Sequence, residues 1–434
     1  MLKKFGFSGS YSYKDWVELD MSAELSDTSV DYDGNPMPKQ PEVYEVVRER
    51  IPSVRYGILP VAAIYGKNAA GKTNLIKALI DAGNDLLGFQ TISLLRSTFE
   101  ERRFRVLGKD EKTTPLKYSI CVAIGEKEYT LSYEMINDTI LSENVFYSYK
   151  NIDARSRLLY SRSTHGRGRS RDPQINKHID LMKSHGENQL WFPLIAPVHD
   201  DLKKIHEWLS DMRHAAMLIS DNKYQREMLE ALAEEIASQS NEDLRKSESP
   251  VLRRLLSFLK CIDNSIVDVS AKKYGDKYSL HLFHREDGNG SVALPIENES
   301  AGTIRLIQQF PLIDEVLRNG VALVCDEFDL ALHPVAFRQL VQMFNNPAIN
   351  ESDAQLIFTA HNTIALDSDY LRRDQVHIVD KDEFSVSTIK RLSEMEGLGA
   401  YPDMEHDFRT GFYGSFPKNF NKAYRLEGDT HADA

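Results

Sequence analysis

Cysteine is scarce in this 434-residue chain: only Cys121, Cys261 and Cys325 occur, far apart and each beside an aliphatic residue. None has a second ligand at zinc-binding spacing, so the pattern predicts reduced core thiols rather than disulfides or a metal knuckle. Long apolar runs are missing too. No stretch of about 18 uninterrupted apolar residues occurs, and the start, MLKKFGFSGSYSYKDW, has lysines with no apolar run behind them. That argues against a membrane-spanning helix and predicts a cytoplasmic protein. Positive charge is in deficit: the net charge of −12 works against a protein whose whole surface lies on nucleic acid, although a local basic patch is compatible with it. No nuclease constellation is legible, whether a Toprim-like glutamate with DxD, HNH, PD-(D/E)xK or RxxxxH. What is present is ordinary globular material, with 41% hydrophobic and 27% charged residues. The length predicts a large α/β core with inserted or appended lobes.

The strongest local signal lies near the N-terminus. Ile58 to Tyr65 reads ILPVAAIY, a β-branched run of strand length, followed at once by GKNAAGKT and the amphipathic NLIKALIDAGNDLL. Strand, glycine loop and helix thus follow in order. Gly66, Gly71, Lys72 and Thr73 meet the spacing GxxxxGK[ST], in which glycines let backbone N–H groups turn inward around phosphate oxygens. The whole loop, Gly66, Lys67, Asn68, Ala69, Ala70, Gly71, Lys72, Thr73 and Asn74, is therefore a candidate nucleotide cradle. Lys72 is placed to reach the β and γ phosphates, and the Thr73 hydroxyl to bind Mg2+. A helix opening at Lys72 adds its positive end to the same place.

Far downstream, VALVCDEFDLALHP puts Asp326 and Glu327 at the end of a strand-forming run. Adjacent acids there are either solvated charges ending a strand or a divided pair, Asp326 for Mg2+ and Glu327 for the attacking water. The phosphate loop requires a partner acid, which favours the second reading. Between the two, NESAGTIRL places Ser300 and Gly302 ahead of an apolar-periodic segment, a serine-capped helix start that also leaves N–H groups open to phosphate. Pro311, inside that segment, predicts a kink or break. After the acids, AQLIFTA reads as another buried strand, with His361 at its end, either structural or in reach of a γ-phosphate.

Phosphate loop, SxG, DE and H in this order resemble the ABC ATPases of the SMC/RecF/OLD branch. There GKNAAGKT matches the Walker A, NESAGT the signature, CDE the Walker B, FDLALHP the D-loop and TAH the switch histidine. The resemblance implies a mixed α/β head, a mixed sheet around a P-loop core with an antiparallel lobe, plus an inserted helical region. It implies two heads paired head to tail, each ATP held by one subunit's Walker A and the other's Ser300 and Gly302, with Glu327 and His361 catalytic. SAGTIRL, DEFDLALHP, AQLIFTAHN, LRRDQVHIVDK and GFYGSFP are closer to bacterial AAA-15-like ATPases of phage-defence loci, the group that includes AriA of the PARIS system. Arg372 to Gln375 resemble that group's RRDQ segment, and Tyr413 to Pro417 its closing YGxxP. The likeness covers roughly the first 90 and last 140 residues. It departs at Ser8 to Lys14, where such heads carry an NFRSF-like stretch, and no Q-loop glutamine is assigned, Gln90 coming too early.

The expected division is 1–150 for the N-terminal half of the head, 151–290 for an inserted, mainly helical region, and 291–434 for the C-terminal half. Within the first, YSICVAI, EYTLSYEMI and ILSENVFYSY predict an antiparallel sheet. Within the second, EWLSDMRHAAMLI and REMLEALAEEIASQ have helical spacing without sustained heptads, which gives no support to a long coiled coil. Arg162 to Arg171 is the one dense basic cluster, read as a solvated loop or as a contact for nucleic acid or an acidic protein. Two functions fit. One is a dimeric or higher-order ATPase scaffold whose ATP state controls a separate effector, a Toprim-like nuclease, with a nucleic acid or phage protein as trigger. The other is a RecF-like DNA-binding repair ATPase, which needs a basic stripe across the dimer.

Overall fold

The computed structural model describes residues 1–23, 57–88, 101–104, 114–137, 139–149, 153–164, 167–182, 188–214, 222–239, 250–260, 263–275, 277–286, 290–330, 332–367, 370–395 and 403–414. Cys261, Gln90 and residues 415–417 lie outside them. The strands are β1 (Leu2–Ser8), β2 (Val17–Asp20), β3 (Val61–Gly66), β4 (Leu116–Ile124), β5 (Lys127–Ile136), β6 (Thr139–Tyr149), β7 (Asp153–Ser163) and β8 (Arg167–Ser170). They continue with β9 (Arg213–His214), β10 (Ile266–Tyr274), β11 (Lys277–Arg285), β12 (Ser291–Pro295), β13 (Ala322–Cys325), β14 (Gln355–Thr359), β15 (Val376–Lys381) and β16 (Ser387–Arg391). The helices are α1 (Lys72–Leu87), α2 (Pro173–Met182), α3 (Phe192–Ile195), α4 (Asp200–Asp211), α5 (Asn222–Gln239), α6 (Pro250–Lys260), α7 (Ala301–Asn319), α8 (Pro334–Asn345) and α9 (Met404–Thr410).

The protein is α/β. A six-stranded sheet in the order β16-β15-β3-β14-β13-β9 is parallel from β15 to β9, with β16 antiparallel at one edge. Every residue of β3, β13 and β14 is buried, as a parallel sheet covered on both faces requires. Because side chains alternate along a strand, the two faces feed two cores. Ala62, Ile64, Val324 and Ile357 join the core under α1 and the antiparallel lobe. Val61, Ala63, Tyr65, Leu323, Cys325 and Phe358 join the core under α6, α7 and α8.

The lobe is a seven-stranded antiparallel sheet, β2-β1-β4-β5-β6-β7-β8. Tyr129, Leu131, Tyr133 and Met135 alternate inward along β5, the period-2 pattern of a sheet with one covered face. Segment 151–290, expected to be mainly helical, also supplies strands: β7 and β8 extend this lobe, and β10 and β11 pair with β12 in a three-stranded sheet. Its helices divide between the cores, with α3 and α4 against α1 and with α5 and α6 against α7.

Two local expectations need correction. Within Arg162 to Arg171 the described residues are not a free loop: Arg162 and Ser163 of β7 pair antiparallel with Gly168 and Arg167 of β8. Arg162 is buried, its guanidinium 3.7 Å from Glu143 Oε2 and 4.6 Å over the Trp191 ring, so it ties the sheet to α3. Arg167, Arg169 and Arg171 stay exposed. Pro311 does not break α7, which runs on to Asn319. Ile307, Phe310, Ile313 and Val316 are all buried along it, and packing of that apolar face outweighs the hydrogen bond that proline cannot donate.

Candidate functional site

The phosphate loop sits where β3 leaves the sheet. Its glycines are demanded by close approach: a Cβ on Gly66 would lie 2.2 Å from the Val379 carbonyl oxygen, and one on Gly71 2.5 Å from Ser387 Oγ. Gly71 also has φ 117, which L side chains rarely adopt. Tyr13 donates to the Gly71 carbonyl at 3.1 Å, and Ser387 Oγ lies 2.5 Å from the Ala70 carbonyl oxygen. Asn74 donates to Ser12 Oγ at 2.9 Å. The segment Ser8 to Lys14, where the family pattern fails, therefore braces the loop from behind together with β16. Lys67 anchors the loop's other flank, on Asp380 Oδ1 and the Lys381 carbonyl, both at 2.9 Å.

A cleft of about 720 Å³ opens in front of the loop, lined by Asn68 to Asn74 with Asp326, Glu327, Thr359, His361 and Lys381. Lys72 Nζ bonds the Gly66 and Lys67 carbonyls at 2.8 and 3.3 Å. Burial pushes its ammonium below the ordinary lysine value, and the charges of Asp326, Asp329 and Glu327 offset part of that. A desolvated cation facing three carboxylates, beside the exposed Thr73 hydroxyl, is suited to a polyanion carrying a hard divalent cation. Mg2+ takes few protein oxygens and completes its shell with phosphate and water, so Thr73 and Asp326 fit it without a protein cage.

The acids are held by backbone geometry. Glu327 has φ 52, and its N–H donates to Thr359 Oγ1 at 2.8 Å. Asp329 Oδ2 accepts from the N–H groups of His361 and Asn362 at 3.0 and 2.6 Å, joining the loop after β13 to the loop after β14. His361 Nε2 then lies 3.7 Å from Glu327 Oε1, both half-exposed in the cleft. Ser300 and Gly302 do not line this cleft. Ser300 caps α7, accepting from Thr303 N–H at 3.1 Å, and is exposed.

Residues 61–367, from β3 to just beyond His361, match the family described as "AAA domain, putative AbiEii toxin, Type IV TA system". The chain belongs to this family. The matched span carries the phosphate loop, Ser300, Gly302, Asp326, Glu327, Thr359 and His361, while Ser12 and Ser387 lie outside it. No curated protein matches the chain. Among solved structures it is similar to an SMC head bound to the C-winged helix domain of ScpA, at 13% identity over 90% of this chain and 96% of that one, TM-score 0.44. It is also similar to the Thermotoga maritima SMC head domain, at 12% identity over 90% and 98%, TM-score 0.42. A third is the Pyrococcus furiosus SMC head with an extended coiled coil bound to the C-terminal domain of ScpA, at 13% over 90% and 95%, TM-score 0.40.

Sequence reasoning gave no individual role to Thr359 and Asp329, which lie inside the TAH and FDLALHP motifs, nor to Ser12 and Ser387. Thr359 and Asp329 carried a weak signal, each within three residues of an assigned one. Ser12 and Ser387 carried none, being 375 residues apart yet joined at 2.8 Å. The RRDQ segment proves to be a buried corner: Arg372 pairs with Asp374, and Gln375 bonds Asn345 at 2.8 Å. Tyr413 is buried.

Proposed function

We propose that the protein is an ATPase, an ABC-type head that binds ATP with Mg2+ in this cleft and hydrolyses it. The observation that carries the reading is the meeting, in one cleft, of the phosphate loop with Asp326, Glu327 and His361 from two other strand ends. Gly66 to Asn74 cradle the phosphates by backbone N–H groups, and Lys72 exchanges its two carbonyl partners for β and γ oxygens. Thr73 and Asp326 hold Mg2+, which would supply charge neutralisation on the phosphates. Glu327 orients the attacking water, and His361 sits beside it to meet the γ-phosphate.

The site is completed by a second copy. Ser300 and Gly302 stand outside their own chain's cleft, and a Cβ on Gly302 would meet nothing nearer than Ser300 Oγ at 3.7 Å. The fold itself has no need of glycine there, which supports a role in head-to-tail pairing, with the helix N-terminus facing the partner's phosphates. The paired heads serve as a dimeric or larger scaffold whose ATP state holds or releases a separate nuclease effector in anti-phage defence. The family's toxin–antitoxin description and the acidic total charge support this over DNA clamping, as does the burial of Arg162.

Glu327→Gln tests the reading. It keeps size and hydrogen-bonding reach but removes basicity, so ATP should still bind while turnover falls by roughly a hundredfold or more. The stalled protein should accumulate a closed dimer on gel filtration with ATP and not with ADP. Unchanged turnover would remove the base role from Glu327.

A further inference from the structure

Thr359 ends β14, held between β3 and β13, and is fully buried. Its hydroxyl makes two contacts at once: it accepts from the Glu327 N–H at 2.8 Å and donates to Asp326 Oδ1 at 2.5 Å. A hydroxyl has one hydrogen, and here that hydrogen is committed to the carboxylate while a lone pair takes the amide. Its carbonyl meanwhile accepts from Phe328 N–H at 3.0 Å, so one residue grips three consecutive positions of the neighbouring loop. Glu327 needs such a grip. Its φ of 52 is unfavourable for a side chain with a Cβ and persists only where surrounding contacts enforce it. The contact on Asp326 ties one of that carboxylate's two oxygens, which fixes the rotation of the group lining the cleft.

We infer that Thr359 is a positioning residue for hydrolysis: its hydroxyl sets the Glu327 carboxylate and the Asp326 carboxylate in register with each other. This rests on the ATPase reading above. The hydroxyl is committed to Asp326 Oδ1 and the Glu327 N–H, so its loss should leave nucleotide affinity in place and lower the rate. It should also weaken the response to Mg2+, because the rotation of Asp326 is no longer fixed. Groups that orient a metal ligand in this way are generally worth about 10 to 100-fold in metal affinity or activity.

The test compares full-length Thr359→Val, Thr359→Ser and wild type in steady-state ATP hydrolysis, in ATP binding by calorimetry, in Mg2+ titration and in thermal melting. Thr359→Val should lose about 10 to 100-fold in kcat, keep KM within about threefold, and need several-fold more Mg2+ for half-maximal rate. Thr359→Ser, which keeps the hydroxyl, should restore the rate to within about threefold of wild type. A Thr359→Val protein with unchanged kcat and Mg2+ response overturns the inference, and so does a Thr359→Ser protein as impaired as Thr359→Val. Should the valine variant not fold, Thr359→Cys, of similar size with a weak donor, carries the same expectation. Amide exchange at Glu327 separates the two readings, since it needs no nucleotide: Thr359→Val should speed it about tenfold or more. If wild type neither binds nor hydrolyses ATP, the ATPase reading fails, and unchanged exchange at Glu327 is what removes the bridge itself.

Discussion

Acidification from pH 7 to pH 4 should cost the fold about 3 kcal/mol through one residue, His377. It lies in β15, opposite Ile64 of β3 and Arg391 of β16, and is 1% exposed. Nε2 donates to the Asp20 carbonyl at 3.2 Å. Burial, with the Arg391 guanidinium nearby, holds its pKa down at about 4 against the ordinary 6.5, while the Asp20 contact opposes this. In the unfolded chain the imidazole takes its proton near pH 6.5, and in the fold only near pH 4. Between those values the unfolded state binds more protons, so stability rises with pH across the window and is lost as pH falls through it. The gap of 2.5, at about 1.36 kcal/mol per pH unit, gives about 3 kcal/mol, with a slope approaching one proton. The buried carboxyls of Asp85 and Glu143 are pushed up and act in the opposite sense, so the effect is read as a difference between proteins. Urea unfolding of wild type and His377→Gln at half-unit steps from pH 7 to 4 supplies it. The two curves should converge by about 3 kcal/mol toward acid. Parallel curves across the window would show that His377 is not the titrating group.

Lys72→Ala should abolish ATP binding in calorimetry, because Lys72 Nζ is the ammonium set at the mouth of the loop; equal affinity in both proteins would sink the phosphate assignment. Ser300→Arg should leave ATP binding within about threefold of wild type yet block hydrolysis, and mixing it with Lys72→Ala should return activity by assembling one intact composite site per heterodimer. A silent mixture counts against head-to-tail pairing. Arg372→Ala should destabilise the fold by about 3–5 kcal/mol, since it takes the guanidinium away from the buried Asp374 carboxylate, and a change in urea unfolding below about 1 kcal/mol would contradict that.

Features that depend on neighbours along the chain are legible in the residues alone. GKNAAGKT between a strand and a helix is a local object, and the structure opens α1 at Lys72 as its spacing requires. Ser300 caps α7 because the accepting hydroxyl and the donating Thr303 N–H lie within four residues. YSICVAI and EYTLSYEMI are strands because alternation with period 2 is visible in any window. Which strand ends meet is set by the fold: β3, β13 and β14 are adjacent in the sheet although their residues run from 61 to 359. That adjacency brings Asp326, Glu327 and His361 to the phosphate loop and puts Thr359 between the two acids. It also sends Ser12 and Ser387 to the back of the loop, turns a basic run into a hairpin with Arg162 inside, and carries α7 through a proline. Each of these is fixed by burial and hydrogen bonding between distant segments, and no local spacing encodes which partner a side chain will find.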